Sequence, residues 1–405
     1  MKIFLRNLLL AVAGIFLAAC DAPRTDSVAE PLQLPAGAGS FAPRLFNAHG
    51  RISLSWLEAD GSGHVLRYAT WEDGKWSAAQ TVAKGDDWFA NWADLPGVRP
   101  LGDGRWLAWW LQKSGEATYA YDVRLALSDD GRTWRETGTP HHDGTLTEHG
   151  FVSVFDVAGG FALAWLDGRN TAPSAGHHGG HGGGMTLRYG MFDGTGSQVA
   201  DVQLDGLVCD CCQTDAAAIP GGAIVVYRDR TEAEIRDIHA IRYVNGEWSD
   251  PVSVNADGWK IDACPVNGPA VAANGNDVAV AWFTASGGEP KVQVAFSHDG
   301  GRLFSSPVRV DNGRPLGRVD IVLQPESGAW VSWMEAGDGG AQLRLRAVDS
   351  QGEINEGISV TAMHRSRAAG FPRMTLLDDG RLLFAWTEAG ESGRRVQTAV
   401  VNPPD

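Results

Sequence analysis

The 405-residue chain contains few cysteines, tyrosines or methionines: five, six and six. No stretch carries helical periodicity. Apolar residues alternate in short runs instead, which excludes a helix bundle and reads as all-β. Basic residues are also short, 34 Lys and Arg against 49 Asp and Glu, leaving a net charge of −15. Such a balance argues against nucleic acid and anionic lipid surfaces as partners. The long apolar run at residues 8–19, LLLAVAGIFLAA, is too short to cross a bilayer.

Lys2 and Arg6 ahead of that run give it the form of a secretory signal peptide. It ends in Leu17, Ala18, Ala19 and Cys20, which resembles the bacterial lipobox. The resemblance implies cleavage before Cys20, diacylglycerol on its sulfur and a membrane tether. Residues 1–19 would then be the signal, 20–38 a polar linker and 39–405 the folded domain. The expected location is the periplasmic side of a cell membrane, inner or outer, with a periplasmic or membrane protein as partner. An ordinary signal peptide with an incidental cysteine is the alternative.

What the chain has in excess is repetition. A short apolar strand ending in Trp or Tyr recurs at Trp56, Trp110, Trp165, Tyr227, Trp282, Trp333 and Trp386, spaced by 54, 55, 62, 55, 51 and 53 residues. An alternating strand follows each, then a Gly-containing turn and a fourth strand. A period near 50 with short strands predicts a β-propeller of seven four-stranded antiparallel blades. The last repeat lacks its fourth strand, so residues just before Ala42 are expected to supply it and close the ring.

The turn at residues 128–134, SDDGRTW, matches the Asp-box, or BNR, repeat, and SHDGGRLF at 297–304 is a second copy. Its Asp caps the turn and its Gly supplies a positive φ. Over residues 40–402 the chain therefore resembles the sialidase superfamily. True sialidases have six blades, which makes six the alternative to the seven repeats. The resemblance implies a carboxylate-binding arginine set, an Asp acid/base and a Tyr nucleophile. The positions available for those roles are Arg44, Arg318, Arg373, Asp94 and Tyr227, with Tyr227 taken as the tyrosine that approaches the mouth. Tyr227 also occupies the repeated aromatic position, where packing explains it, and arginine–carboxylate pairs bracing the strand ends would explain the arginines.

The scarce cysteines are not scattered. Cys209, Cys211 and Cys212 lie just ahead of the inner strand of the fourth repeat, and Cys264 just ahead of that of the fifth. Both places belong to one face of the propeller, its mouth. Histidines gather on the same face: His141, His142 and His149 before the third repeat, and His177, His178 and His181 in a Gly-rich insertion within it. Four thiols in an oxidising compartment persist when paired or bound to metal. Thiolate with imidazole suits copper or zinc better than calcium or magnesium. The candidate ligands are Cys209, Cys211, Cys212, Cys264, His149, His177, His178 and His181. Two structural disulfides, or one disulfide beside a metal site, are the competing outcomes. Trp88, Phe89, Trp92 and Trp259 add aromatics to mouth loops, where they would stack on sugar, shield a metal or seal gaps between blades.

Three functions follow from this pattern. The leading one is a lipoprotein that binds copper or zinc at the propeller mouth, for metal handling or redox support. The second is an exo-sialidase-type glycoside hydrolase acting on carbohydrate, and the third a non-catalytic protein-binding scaffold.

Overall fold

The computed structural model describes residues 29–171, 183–390 and 393–403. Seven antiparallel sheets stand around one axis. Their innermost strands are Phe41–Ala48, Gly97–Pro100, His149–Val157, Asp215–Ile219, Ala270–Asn274, Pro315–Leu323 and Arg373–Leu376. We number the blades 1 to 7 in that order. The outer edge is split in two in blades 1 and 4, and is a single strand elsewhere. The six-bladed alternative is thereby excluded. Among the described residues no helix is long and apolar enough to cross a membrane.

The cross-strand register shows that the seven marker aromatics are equivalent. Each faces a long polar residue of the third strand: Arg67, Arg124, Arg188, His239, Gln293, Arg344 and Gln397 in turn. Trp56, Trp165, Tyr227, Trp282 and Trp333 are wholly buried. The core is accordingly a set of apolar layers between neighbouring sheets, such as Val226, Ile238, Val271, Val280 and Trp282 between blades 4 and 5. Trp→Ala at such a site costs about 3–5 kcal/mol, so each marker contributes to holding two sheets together.

In blades 1, 3 and 6 the acid two residues after the marker caps it rather than pairing with the axial arginines. Glu58 Oε1 accepts from Trp56 Nε1 at 2.7 Å, Asp167 Oδ2 from Trp165 Nε1 at 3.0 Å, and Glu335 from the Trp333 indole.

An N-terminal strand closes the ring as expected, but it lies further upstream than the residues just before Ala42. Ala29–Leu32 forms the outer strand of blade 7, paired antiparallel with residues 398–401. The propeller thus begins ten residues before the expected boundary at 39, inside the stretch 20–38 assigned to the linker. This strand is largely exposed, with only Ala29 buried, so it lacks the apolar alternation by which strands are recognised.

The two Asp-box turns lie on the face opposite the mouth. Asp130 Oδ1 accepts from the backbone N–H of Arg132 and Thr133 at 2.8 and 2.7 Å, and Asp299 Oδ1 from Arg302 and Leu303 at 2.8 and 3.1 Å. Gly131 and Gly300 sit at φ 69° and 74°, where a side chain would be strained.

Candidate functional site

At the mouth, the inner strands of blades 1, 3 and 6 each carry a bulge and a non-glycine residue at positive φ: Ala42, Phe151 and Arg318, near 57°. Bulges of this kind re-aim side chains next to functional sites. Here they turn charged groups toward the axis.

A belt of aspartates ties neighbouring blades there in pairs. Asp94 Oδ1 accepts from Phe151 N at 2.8 Å, Asp215 Oδ2 from Val271 N at 2.9 Å and Asp320 Oδ2 from Met374 N at 2.7 Å. These links join blades 2 to 3, 4 to 5 and 6 to 7. Burial pushes Asp94 and Asp320 up to about 6, against the pull of nearby arginines and hydrogen bonds. Asp94 is therefore a strut of the fold before it is an acid.

The arginines proposed for a sialidase are likewise engaged. Arg44 Nη2 donates across the axis to Val152 O at 3.0 Å, and Arg318 donates to Ser366 O at 3.2 Å and Gly370 O at 3.1 Å. Arg373 lies 3.9 Å from Asp320. Tyr227 donates to Asp205 Oδ2 at 2.6 Å and is wholly buried in its blade, apart from these arginines. The structure gathers Arg44, Asp94 and Arg373 near the axis but does not add a nucleophilic Tyr227 to them.

The tyrosine that does reach the mouth is Tyr121, which sequence reasoning missed. Its hydroxyl lies 2.8 Å from both Asp94 Oδ2 and Glu148 Oε1. A phenol has one proton to donate, so the second contact needs a proton on a carboxyl group. Burial, then the charges of Asp94, Asp210 and Cys264, push Glu148 up to about 8, which makes it the protonated partner.

The cysteines come together. Cys209 Sγ lies 3.0 Å from Cys212 Sγ and 4.0 Å from Cys211 Sγ, and Cys264 of the next blade adjoins Cys211. All four are free thiols, with Cys209 and Cys212 buried. Arg236 Nη1 approaches Cys209 Sγ to 3.5 Å. Burial opposes ionisation of Cys209, but the thiols of Cys211 and Cys212 and the Arg228 cation outweigh it and hold Cys209 well below the ordinary thiol range. Cys264 is lowered too, chiefly by Cys211. Cys211 and Cys212 are correspondingly raised. The cluster thus favours thiolates at two of its four positions.

His149 does not join the sulfurs. It stacks on His141 with ring centroids 3.7 Å apart, among Asp122, Asp143 and Asp167. Among the described residues no ligand-sized group combines a sulfur with an imidazole, so the expected mixed Cys/His cluster resolves into two groups. His149 and the sulfurs were expected to meet because both belong to the mouth face. The register instead places His149 at the start of its strand, beside the third strand of blade 2. His177, His178 and His181, and Cys20, the expected lipidation position, lie outside the described residues.

The mouth aromatics seal. Trp88 stacks on Trp110, Phe89 on Tyr121 at 4.1 Å, and Trp92 on Phe371, while Arg228 sits over Trp259 at 4.9 Å.

No protein-family model matches the chain, and neither does any curated protein. Solved structures of similar fold are numerous. A lectin from Burkholderia pseudomallei is 12% identical with TM-score 0.61, over 94% of this chain and 97% of that one. The polysaccharide lyase Uly1 is 9% identical with TM-score 0.54, covering 89% and 90%. An α-L-arabinofuranosidase from Fusarium graminearum is 12% identical with TM-score 0.50, covering 92% and 97%. The chain is a seven-bladed propeller with structural neighbours among glycoside-hydrolase and polysaccharide-lyase propellers. At these identities the likeness defines the architecture, on which many unrelated functions are built.

Proposed function

We propose that the chain is a lipid-tethered, periplasm-facing propeller. Its mouth holds a soft or borderline metal ion, copper first and zinc second, on Cys209, Cys211, Cys212 and Cys264. The role is metal handling or metal-dependent redox support of a partner. The observation that carries this reading is the convergence of three sulfurs within 4.8 Å in the connection into blade 4, beside Arg228 and Arg236, with Cys264 of the connection into blade 5 next to Cys211. Four thiolates around a zinc-sized ion stand roughly 3.8 Å apart. The 4.0 Å pair already fits, and the 3.0 Å pair would open by roughly 0.8 Å to take the ion. Metal content and free thiols of anaerobically purified protein test the reading. Wild type should carry one equivalent that Cys211→Ser/Cys212→Ser lacks; two closed disulfides and no metal in the wild type would end it. The tether rests on the sequence around Cys20, and Cys20→Ser should release the protein to the soluble fraction.

A second reading is favoured by the tyrosine set between two carboxyls. Asp94 near 6 and Glu148 near 8, on either side of Tyr121, have the separated proton affinities that acid/base chemistry on a sugar requires. The arabinofuranosidase and lyase of similar fold lend weight to this reading rather than to the metal. In that case the chain processes glycosides through Glu148 and Tyr121, without the sialidase arginine set. A panel of fluorogenic glycosides and uronate polysaccharides, with Glu148→Gln as control, decides it. The sulfur cluster ranks first because Tyr121 is wholly buried and Asp94 already ties blade 2 to blade 3.

A further inference from the structure

We propose that Asp122, His141 and His149 form a second metal site, separate from the sulfurs and suited to a borderline divalent ion such as zinc.

The site is made by the seam between two blades. Asp122 opens the third strand of blade 2, Tyr121–Ser128, and His149 opens the inner strand of blade 3. Tyr121 N donates to Thr147 O at 3.2 Å, which brings the two strand ends side by side. His141 comes from the loop that joins the blades.

Three buried side-chain atoms here have no hydrogen-bond partner: Asp122 Oδ1, His141 Nε2 and His149 Nδ1. His149 is 0% exposed and His141 6%. A buried polar atom left unpaired costs about 1–3 kcal/mol, so three of them side by side call for an explanation. They lie within 4.8 Å of one another, with Asp122 Oδ1 3.6 Å from His149 Nδ1 and 3.8 Å from His141 Nε2. That is too long for hydrogen bonds. Ligands of a tetrahedral ion at about 2.0–2.2 Å stand roughly 3.3–3.5 Å apart, a few tenths of an ångström away.

The far sides of both rings share one carboxylate. Asp143 Oδ2 lies 3.2 Å from His149 Nε2 and 3.5 Å from His141 Nδ1. An outer carboxylate on the remote nitrogen fixes the tautomer that turns the other nitrogen to a metal. Asp143 is itself held by the backbone N–H and hydroxyl of Thr145 and by Arg169 at 3.5 Å. Two parallel imidazoles at 3.7 Å cannot comfortably both carry charge, and neutral rings are what a metal binds; because stacked rings send their in-plane lone pairs out side by side, one ring must turn about its χ2 for both to meet the ion. The side chain of Asp122 is 27% exposed, which leaves a way in from solvent and room for a water ligand. Two nitrogens and one carboxylate oxygen make a donor set of the borderline kind, unlike the thiolates nearby.

The test uses the full chain with its thiols removed from play, either with Cys209, Cys211, Cys212 and Cys264 all changed to Ser or as wild type blocked with N-ethylmaleimide. Cobalt(II) serves as the spectroscopic probe and zinc as the competitor. One equivalent should bind, with visible d–d bands and no thiolate charge-transfer band. His141→Gln and Asp122→Asn should abolish it, and Asp143→Asn, which removes no ligand, should weaken it 10–100-fold. Circular dichroism confirms that each variant is folded. Thiol-blocked protein that binds no cobalt, or unchanged stoichiometry in folded His141→Gln, overturns the site. Because the residues are disjoint, this outcome is independent of the sulfur cluster's.

Discussion

The mouth of the propeller has two unlike arcs. From blade 6 round to blade 1, the unusual side chains are arginines, and two of the three already have hydrogen-bond partners: Arg318 on Ser366 O and Gly370 O, and Arg44 on Val152 O, while Arg373 stands 3.9 Å from Asp320 with its Nε unpartnered. From blade 2 to blade 5, the unusual side chains are thiols, imidazoles and carboxyls. There, several polar atoms converge without partners. The first arc resembles a finished structure, the second a site whose last participant comes from outside. Conspicuous charge near an axis is therefore weaker evidence of function than unsatisfied convergence.

That contrast can be broken most directly at Arg318. Arg318→Ala leaves two carbonyls without their donor and removes the cation over Trp92, so it should cost about 3 kcal/mol or more in urea unfolding. A variant as stable as wild type would mean that Arg318 is held for a ligand instead. The opposite arc should respond to chelation. At free metal a hundredfold above its dissociation constant, binding adds about 2.7 kcal/mol, so removing metal should lower the melting temperature of wild type. The same treatment should leave unmoved a protein lacking both ligand sets, Cys211→Ser/Cys212→Ser with His141→Gln. Equal shifts in both proteins would erase the distinction between the arcs.

The axial belt gives a smaller, signed effect. Burial lifts Asp320 to about 6 in the folded state from an ordinary value of 3.8, so the folded protein holds this proton more tightly. Its contribution is full below about pH 4 and disappears as pH rises through 6, a fall of about 3 kcal/mol. Asp320→Asn should flatten that segment of the stability–pH curve. An unchanged slope would assign it to Asp94, the other belt aspartate near 6.

The repeats were legible because each marker strand advertises its burial locally, within half a dozen residues, and the Asp-box turn is likewise written in seven. The closing strand was not, because Ala29–Leu32 is mostly exposed and shows no apolar alternation. The cysteines were placed on the mouth from their position ahead of two inner strands, and the three ahead of blade 4 lie within 4.8 Å of one another. What escaped was everything that depends on contact between blades. Asp122 and His149 are 27 residues apart and become neighbours only through the seam. Tyr121 looked like the first residue of an ordinary strand, YDVRLALS, and nothing local marks its hydroxyl as shared by Asp94 and Glu148. Arg44 finds Val152 across 108 residues, a bond that no reading of either segment alone would propose.

The smallest effect compares the same residue type on opposite faces. In the Asp-box turn, Asp299 accepts from two backbone N–H groups and from Ser297 Oγ at 2.8 Å, and these bonds outweigh burial to hold it below the ordinary carboxylate value. Here the sign reverses: the stabilisation is present above pH 4 and is lost as pH falls through the lowered folded value. Asp299→Ala should cost about 1 kcal/mol at neutral pH, as loss of a capping side chain does elsewhere, and nothing in strong acid, where wild type has lost the same bonds. Turn carboxylates thus steepen acid unfolding while axial carboxylates erode stability toward neutrality, which places the optimum between the two transitions, near pH 4 to 5 for these groups alone. Urea midpoints of Asp299→Ala and Asp320→Asn, measured from pH 3 to 7, should diverge from wild type at opposite ends of that range. Parallel curves would show that turn and belt carboxylates titrate alike despite their different surroundings.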